Sequence, residues 1–411
     1  MITNEALRVL TNQLAFTKNV NRHYDGSFGV EGAKIGTTLN VRKPVRYIGA
    51  EGATLQIEDI VETSVPVVLN HQSHVGITFT SQDLKLSIDE FSKRLIQPAV
   101  ASIANKIDLY GLQLYQQVYN FAAQSGTTVW TPGTAPATLR TYLDAQAALN
   151  NNATPMDGQR HVILSPNMEV AIVDALKGLF QSSNQIREQY EKGLMGIAAG
   201  FQWHMDQNTW THTIGEVGAT SAPTMSATAG QTGASLATAG WIASKTVLKT
   251  GDIIQIGGVY QVNPQNRQST GVLQPFVVTA DVASASDGTA TVTISPSIVT
   301  SGAYQTVNAA PAGSAPITLF GQATGTAMNG LSKAATTQGM AFHPDAFTLA
   351  CADLPLPEGV DMAARASDSD TGLSLRMVRQ YDINTDKWPC RLDVLYGWAA
   401  LRPELACRIL A

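Results

Sequence analysis

Ser87-Ile88-Asp89-Glu90-Phe91-Ser92-Lys93-Arg94-Leu95 opens the most strongly periodic stretch of the chain. Ser87 and Glu90 stand three apart, the spacing of a capping box in which the carboxylate reaches back to the first backbone N–H. Phe91, Leu95, Ala99, Ile103, Ile107, Leu114, Val118 and Phe121 then recur near every fourth position, the period of one helix face. Gly126 ends the pattern. The spacing predicts a single helix over 87–123, bent early where Pro98 interrupts the hydrogen-bond ladder. At 1.5 Å per residue it would run about 50 Å, longer than a small domain is wide. Such a helix reads as a spine joining parts of an elongated molecule.

Toward the N-terminus, residues 36–80 read as a long two-stranded arm. Thr, Val and Ile dominate Gly36 to Ile48 and about Val61 to Thr80, with Gly49, Gly52 and Asp59 between the runs. Neither run alternates cleanly. Arg42, Lys43 and Arg46 sit on the first, and Glu58, Asp59 and Glu62 lie at the tip and on the return. A hairpin wet on both faces is marginally stable alone and invites pairing with other chains. The six charges are candidate inter-subunit contacts. Residues 3–16 predict a short helix with Leu7, Leu10 and Leu14 on one face, followed by the turn-rich Tyr24-Asp25-Gly26-Ser27-Phe28-Gly29. That helix has no local partner face, so it packs on something distant or on another subunit.

Toward the C-terminus, a helix is expected over 136–152 with Leu139, Leu143, Ala147 and Leu149 toward a core. A strand follows at His161–Leu164, and Ser165-Pro166 opens a helix through Phe180. The composition then changes. Between residues 215 and 338 the charged residues are Glu216, Lys245, Lys249, Asp252, Arg267, Asp281, Asp287 and Lys333. Short β-rich runs punctuate this stretch: Ile253 to Ile256, Val259 to Val262, Phe276 to Thr279, Thr289 to Ile294 and Ile317 to Leu319. Close-spaced short strands predict a small barrel or sandwich inserted into an α/β body. Residues 219–239 read as a Ser/Thr-rich linker or a long surface loop.

Across all 411 residues, 44% are hydrophobic and 14% charged, against a usual charged share of about 25%. A disordered chain would be charge-rich and core-poor. No apolar run approaches the ~20 residues of a spanning helix, and the N-terminus lacks the pattern of a secretion signal. The net charge of −5 leaves no surplus of Lys and Arg for wrapping phosphates. Three widely spaced cysteines, Cys351, Cys390 and Cys407, suit a reducing compartment.

Chemical motifs are sparse. There is no G-x-S-x-G, no P-loop, no H-E-x-x-H and no G-x-G-x-x-G after a strand. His71 and His74 fall on opposite faces of a strand. His204 and His212, near Asp206, lack a second ligand cluster for a metal. Asp368 and Asp370 read as a solvated loop, and Asp157-Gly158 and Asp287-Gly288 as turns. Neither an enzyme activity nor a cofactor is expected.

The segment Cys390-Arg391-Leu392-Asp393-Val394-Leu395-Tyr396-Gly397-Trp398-Ala399-Ala400-Leu401-Arg402-Pro403-Glu404 resembles the end of the major coat proteins of short-tailed lambdoid phages. The shared pattern is Cys-Arg, Tyr-Gly and Arg-Pro-Glu in that order. Tyr190, Gly193 and Ala199-Gly200-Phe201 resemble a second segment of that family. Leu248-Lys249-Thr250-Gly251-Asp252 with Gly258-Val259 resembles a third, in the family's inserted domain. Phe342 with Asp345-Ala346, and Pro355-Leu356-Pro357, resemble a fourth.

The resemblance implies an α+β, HK97-like capsid fold. On that basis residues 1–35 are the N-terminal arm, 36–80 the extended E-loop hairpin, and 81–160 the peripheral domain with its spine helix. Residues 161–214 and 339–365 form the axial domain, 215–338 an inserted β-barrel, and 366–411 C-terminal strands returning to the core. The implied protein is a major capsid protein that assembles in the host cytoplasm and resides in the virion. Its partners would be itself, as hexamers and pentamers, a portal protein, and double-stranded DNA held without sequence specificity. Some relatives begin with a long charged scaffold segment. Here the arm begins at once, which implies a separate scaffolding protein, with Leu7, Arg8, Lys18 and Arg22 as its candidate contact. The main alternative is an encapsulin-like nanocompartment shell. A β-rich adhesion protein fits less well, because of the spine helix and the missing secretion signal.

Overall fold

Buried apolar side chains gather in two compact units of the chain. One comprises residues 1–43, 63–114 and 347–401, and the other residues 44–62, 115–346 and 402–411. The structure, a computed structural model, describes residues 6–7, 10, 14–21, 38–49, 52–53, 55, 57–80, 96–123, 130–176, 197–218, 222–322, 330–367, 372–385 and 387–411. Residues 87–95 of the expected spine, the turn at 24–29, Asp368, Asp370, Tyr190 and Gly193 lie outside these residues.

The first unit is built around the strand Lys387–Ala400. Its length lets it serve three partners. Antiparallel to it run His71–Thr80 in a ten-residue register from His71↔Tyr396 to Thr80↔Lys387, Phe347–Ala352 on its second half, and Ser374–Arg379 on its first. Met362–Ser367 adds an edge. The hairpin is shorter than its sequence implies. Thr38–Arg42 pairs only with Ser64–Val68, and His71–Thr80 leaves the arm for the sheet. A non-local partner 14 residues long outcompetes a continued hairpin there.

The α-helix of this unit spans Gln97–Leu112 and tightens into a 3-10 turn over Gln113–Gln117. Ile103 and Ile107 are fully buried on its inner face, as the spacing predicts. The helix does not continue to residue 123: Phe121–Ala122 is a strand. Pro98 lies in the first turn of the described helix, where its missing N–H costs nothing. The N-terminal segment packs on this helix. Asp108 accepts the Ala15 N–H at 2.8 Å, the Thr17 N–H at 3.0 Å and the Thr17 hydroxyl at 2.5 Å. Phe16 sits against Trp398 and Phe347, with ring centroids 5.3 and 5.6 Å apart. A Cβ at Gly111 would stand 2.7 Å from both Phe16 and Trp398, so the close approach needs glycine.

In the second unit a seven-stranded sheet carries the core. Its order is Phe121–Ala122, Ala406–Leu410, Ala335–Phe342, His161–Leu164, Phe201–Met205, Ile197–Ala198, with Thr211–Thr213 on the other half of Ala335–Phe342. Helices Leu139–Asn151 and Pro166–Leu176 follow the expected segments. The first is rotated from its expected face. Tyr142, Ala145 and Leu149 are buried, while Leu143 is 41% exposed and Ala147 is exposed. Trp203, 4.8 Å from the Tyr142 ring, selects that face.

Between these strands sits a six-stranded near-closed barrel. Its order is Ile317–Leu319, Ile253–Val262, Ser269–Val278, Ala290–Ile298, Gly233–Ala239, Thr224–Met225. The end strands join: the Ile317 N–H donates to Pro223 O at 2.9 Å and the Met225 N–H to Ala315 O at 2.8 Å. Joined ends leave few unpaired edges. Residues 219–239 therefore supply two wall strands, Thr224–Met225 and Gly233–Ala239, with a loop over 226–232 between them. Leu236, Ile254, Phe276 and Val292 are fully buried in its core.

Candidate functional site

The hairpin tip, residues 44–62, belongs to the same unit as the barrel. No strand pairing holds the described tip residues. The Glu58 carboxylate closes it instead, accepting the Ile48 and Gly49 N–H groups at 2.7 Å each. Arg46 pairs with Glu404 at 3.2 Å, and Arg402 reaches the same oxygen at 3.3 Å. The Arg-Pro-Glu end of the C-terminal motif thus meets the tip within one chain, an intrachain partner that local sequence did not reveal. Arg42, Asp59 and Glu62 are exposed, and Lys43 is half-buried. Leu55 is 84% and Ile57 87% exposed, and Tyr47, Ile48, Ile60 and Val61 are all more than half exposed. Six large apolar side chains presented by one short segment are unusual for a finished surface.

The rest of the C-terminal motif works inside the sheet. Tyr396 stacks on His71 and shares a hydrogen bond with Ser73 at 2.9 Å. The Val68 carbonyl lies where a Cβ at Gly397 would sit, so glycine lets the arm strand cross. Asp393 is fully buried and takes the Arg376 guanidinium in a two-point fork at 3.0 and 2.6 Å. Burial pushes its carboxyl up, and the fork more than reverses this, leaving it below the ordinary value.

Sequence reading missed a buried polar hub. Asp252 is fully buried and accepts from His212 Nε2 at 2.8 Å, the Gly215 N–H at 3.2 Å and the Lys249 N–H at 2.7 Å. His212 Nδ1 lies 3.1 Å from the Tyr115 hydroxyl. Arg408, also fully buried, stacks over the Tyr115 ring at 5.0 Å and donates to Gln338 Oε1 at 2.8 Å and Gly251 O at 2.5 Å. Burial pushes it down to about 10. The hub ties the barrel to the C-terminal strand and the middle of the 3-10 turn. Its signals were an arginine inside the apolar run Ala406–Leu410 and an aspartate in the charge-poor stretch.

The two histidines near Trp203 separate. His204 Nε2 faces His161 Nδ1 at 3.2 Å, and His343 Nε2 faces Asp157 at 3.2 Å. Among the described residues no group of three or more His, Cys, Asp or Glu could hold a metal ion. None of their helices is long and apolar enough to cross a membrane. Of the suggested scaffold contacts, Leu7 is buried, Lys18 is exposed, and Arg8 and Arg22 lie outside the described residues.

The family model described as "P22 coat protein - gene protein 5" matches residues 1–410. No curated protein matches the chain significantly. A capsid structure of Ralstonia phage GP4 is similar over 92% of this chain and 84% of its own, at 8% identity and a TM-score of 0.46. A structure titled Mycobacterium phage Che8 is similar over 96% and 90%, at 12% identity and 0.43. A structure titled CUS-3 coat protein I-domain aligns with 25% of this chain and 98% of its own, at 28% identity and 0.19. With its model matched from the first residue to the last but one, the chain belongs to the P22 coat protein family and is a phage major-capsid-like protein with an HK97-type fold.

Proposed function

We propose that many copies of this chain close into an icosahedral phage head around double-stranded DNA, with a separate scaffolding protein selecting the curvature and a portal protein at one vertex. The hairpin tip carries this reading: its exposed apolar residues form a surface that a neighbouring copy would complete. Within residues 36–80 the part before His71 acts as the E-loop, 81–160 as the peripheral domain, and 161–214 with 339–365 as the axial domain interrupted by the barrel. Arg42, Lys43, Asp59 and Glu62 pair across subunit boundaries, and Lys18 faces the scaffold. Each exposed ion pair contributes about 0–1 kcal/mol, and repetition over a closed symmetric shell turns such small terms into steep assembly. The acidic net charge of −5 suits a lining that holds DNA without gripping it.

Expression of the chain with and without a scaffolding protein, followed by negative-stain electron microscopy, tests this. Soluble subunits or aberrant shells are expected from the chain alone, and uniform particles with the scaffold. Uniform shells from the chain alone would favour a nanocompartment instead. Reversal of Arg42 and Lys43 to Glu should spare folding and reduce particle yield.

A further inference from the structure

Two loops at one end of the barrel hold the hairpin tip. Arg267 donates from Nη2 to Tyr47 O at 2.5 Å and from Nη1 to Ile48 O at 3.3 Å. On the other side of the tip, the Tyr304 hydroxyl donates to Val61 O at 2.7 Å. The Arg46 guanidinium lies over the Tyr304 ring at 5.9 Å while its own ion pair with Glu404 holds it from behind. Both arms of the tip are thus held, one near its start and one near its end.

The loop bearing Arg267 builds itself without help from the tip. Asn263 Oδ1 accepts the Gln265 and Asn266 N–H groups at 2.9 and 3.3 Å, and the Arg267 N–H closes on Asn263 O at 2.9 Å. Arg267 takes φ +55°, a left-handed conformation that non-glycine residues adopt rarely. The turn aims the guanidinium at carbonyls that have no strand partner. Those carbonyls lie on residues more than half exposed, so the guanidinium and the hydroxyl replace water as their partners and tie the tip to the barrel.

We propose that the inserted barrel serves as a clasp for the E-loop of its own subunit. Arg267 and Tyr304 capture the three tip carbonyls and fix the direction in which Leu55, Ile57 and Ile60 are displayed. The partner of that displayed face is a second copy of this chain, so this purpose rests on the capsid reading. The clasp lowers the ordering cost at assembly by immobilising the tip beforehand. It also gives the barrel a task besides filling the insertion point.

Hydrogen exchange on the unassembled full chain tests the clasp. In Arg267→Ala/Tyr304→Phe, amides across 44–62 should exchange about tenfold faster or more, as loss of a charge-assisted hydrogen bond would produce. Amides of Ile253–Val262 should keep their protection, which shows that the barrel is folded. Should the double variant lose barrel protection, Tyr304→Phe alone reads the tip near Val61 with one hydroxyl removed, and faster exchange there is the expected result. Unchanged exchange across 44–62 in a variant with an intact barrel would overturn the clasp. The capsid reading fails by a different observation, the lack of any particles with scaffold, and that leaves the exchange result standing.

Discussion

The barrel encloses Leu236, Ile254, Phe276 and Val292 within its own wall, whereas the hairpin tip leaves Leu55, Ile57 and Ile60 in solvent. Their backbones differ in the same way. Barrel strands pair with each other around a nearly complete circle. The tip borrows an acceptor from Glu58 and donors from Arg267 and Tyr304. Burying a side chain of Leu or Ile size contributes about 1.5–3 kcal/mol. The barrel collects that energy on folding. At the tip it is still uncollected in the single chain, available to whatever covers the tip. A charge-poor sequence with turns between short strands encodes the first behaviour, and apolar residues interleaved with Glu51, Glu58 and Asp59 encode the second.

The sharpest test of this contrast is Phe276→Ala, which empties part of the closed barrel core and should cost about 3–5 kcal/mol in urea unfolding of the unassembled chain. A cost under about 1 kcal/mol would mean that the barrel is not a close-packed core. Next comes the hub that anchors the barrel. Asp252→Ala strands His212 and two backbone N–H groups in the interior, and a loss of about 3 kcal/mol is expected. Full stability in that variant would show that the hub is dispensable.

Acid should weaken the seven-stranded sheet. Burial, with His204 and His343 nearby, pushes His161 from its ordinary 6.5 down to about 4. The unfolded chain takes up a proton at that residue below about 6.5 and the folded chain does not, so stability falls as pH drops from 6.5 toward 4. Asp157, which faces His343, is held below the ordinary carboxylate value and titrates beneath that window. Thermal melts at pH 7 and 4.5 should separate more for the parent chain than for His161→Gln. Equal separations would remove His161 as the cause. The smallest stability effect belongs to the tip: Ile57→Ser should change unfolding by less than about 0.5 kcal/mol and still lower particle yield. A large loss of monomer stability would place Ile57 in the subunit core.

Where neighbours in sequence decide conformation, the reading succeeded. His161–Leu164, the helix opened by Pro166 and the barrel strands from Ile253 to Leu319 needed only local pattern and turn chemistry. It failed where a distant partner decides. Phe121–Ala122 keeps helical spacing but pairs in parallel with Arg408 and Ile409, far along the chain. His71–Thr80 abandons the hairpin for Lys387–Tyr396. Leu143 and Tyr142 are both plausible core residues on one helix, and the position of Trp203 decides between them. The six arm charges were legible as a wet arm. Arg267 and Tyr304, isolated in the charge-poor stretch, carried no local sign that they reach residues some 200 or more positions earlier.

Cryo-electron microscopy of the assembled particle at side-chain resolution tests the central contrast directly. The account predicts Leu55, Ile57 and Ile60 buried against a second copy of the chain, with the barrel core packed as in the single subunit. A shell in which those three side chains remain in solvent would contradict it.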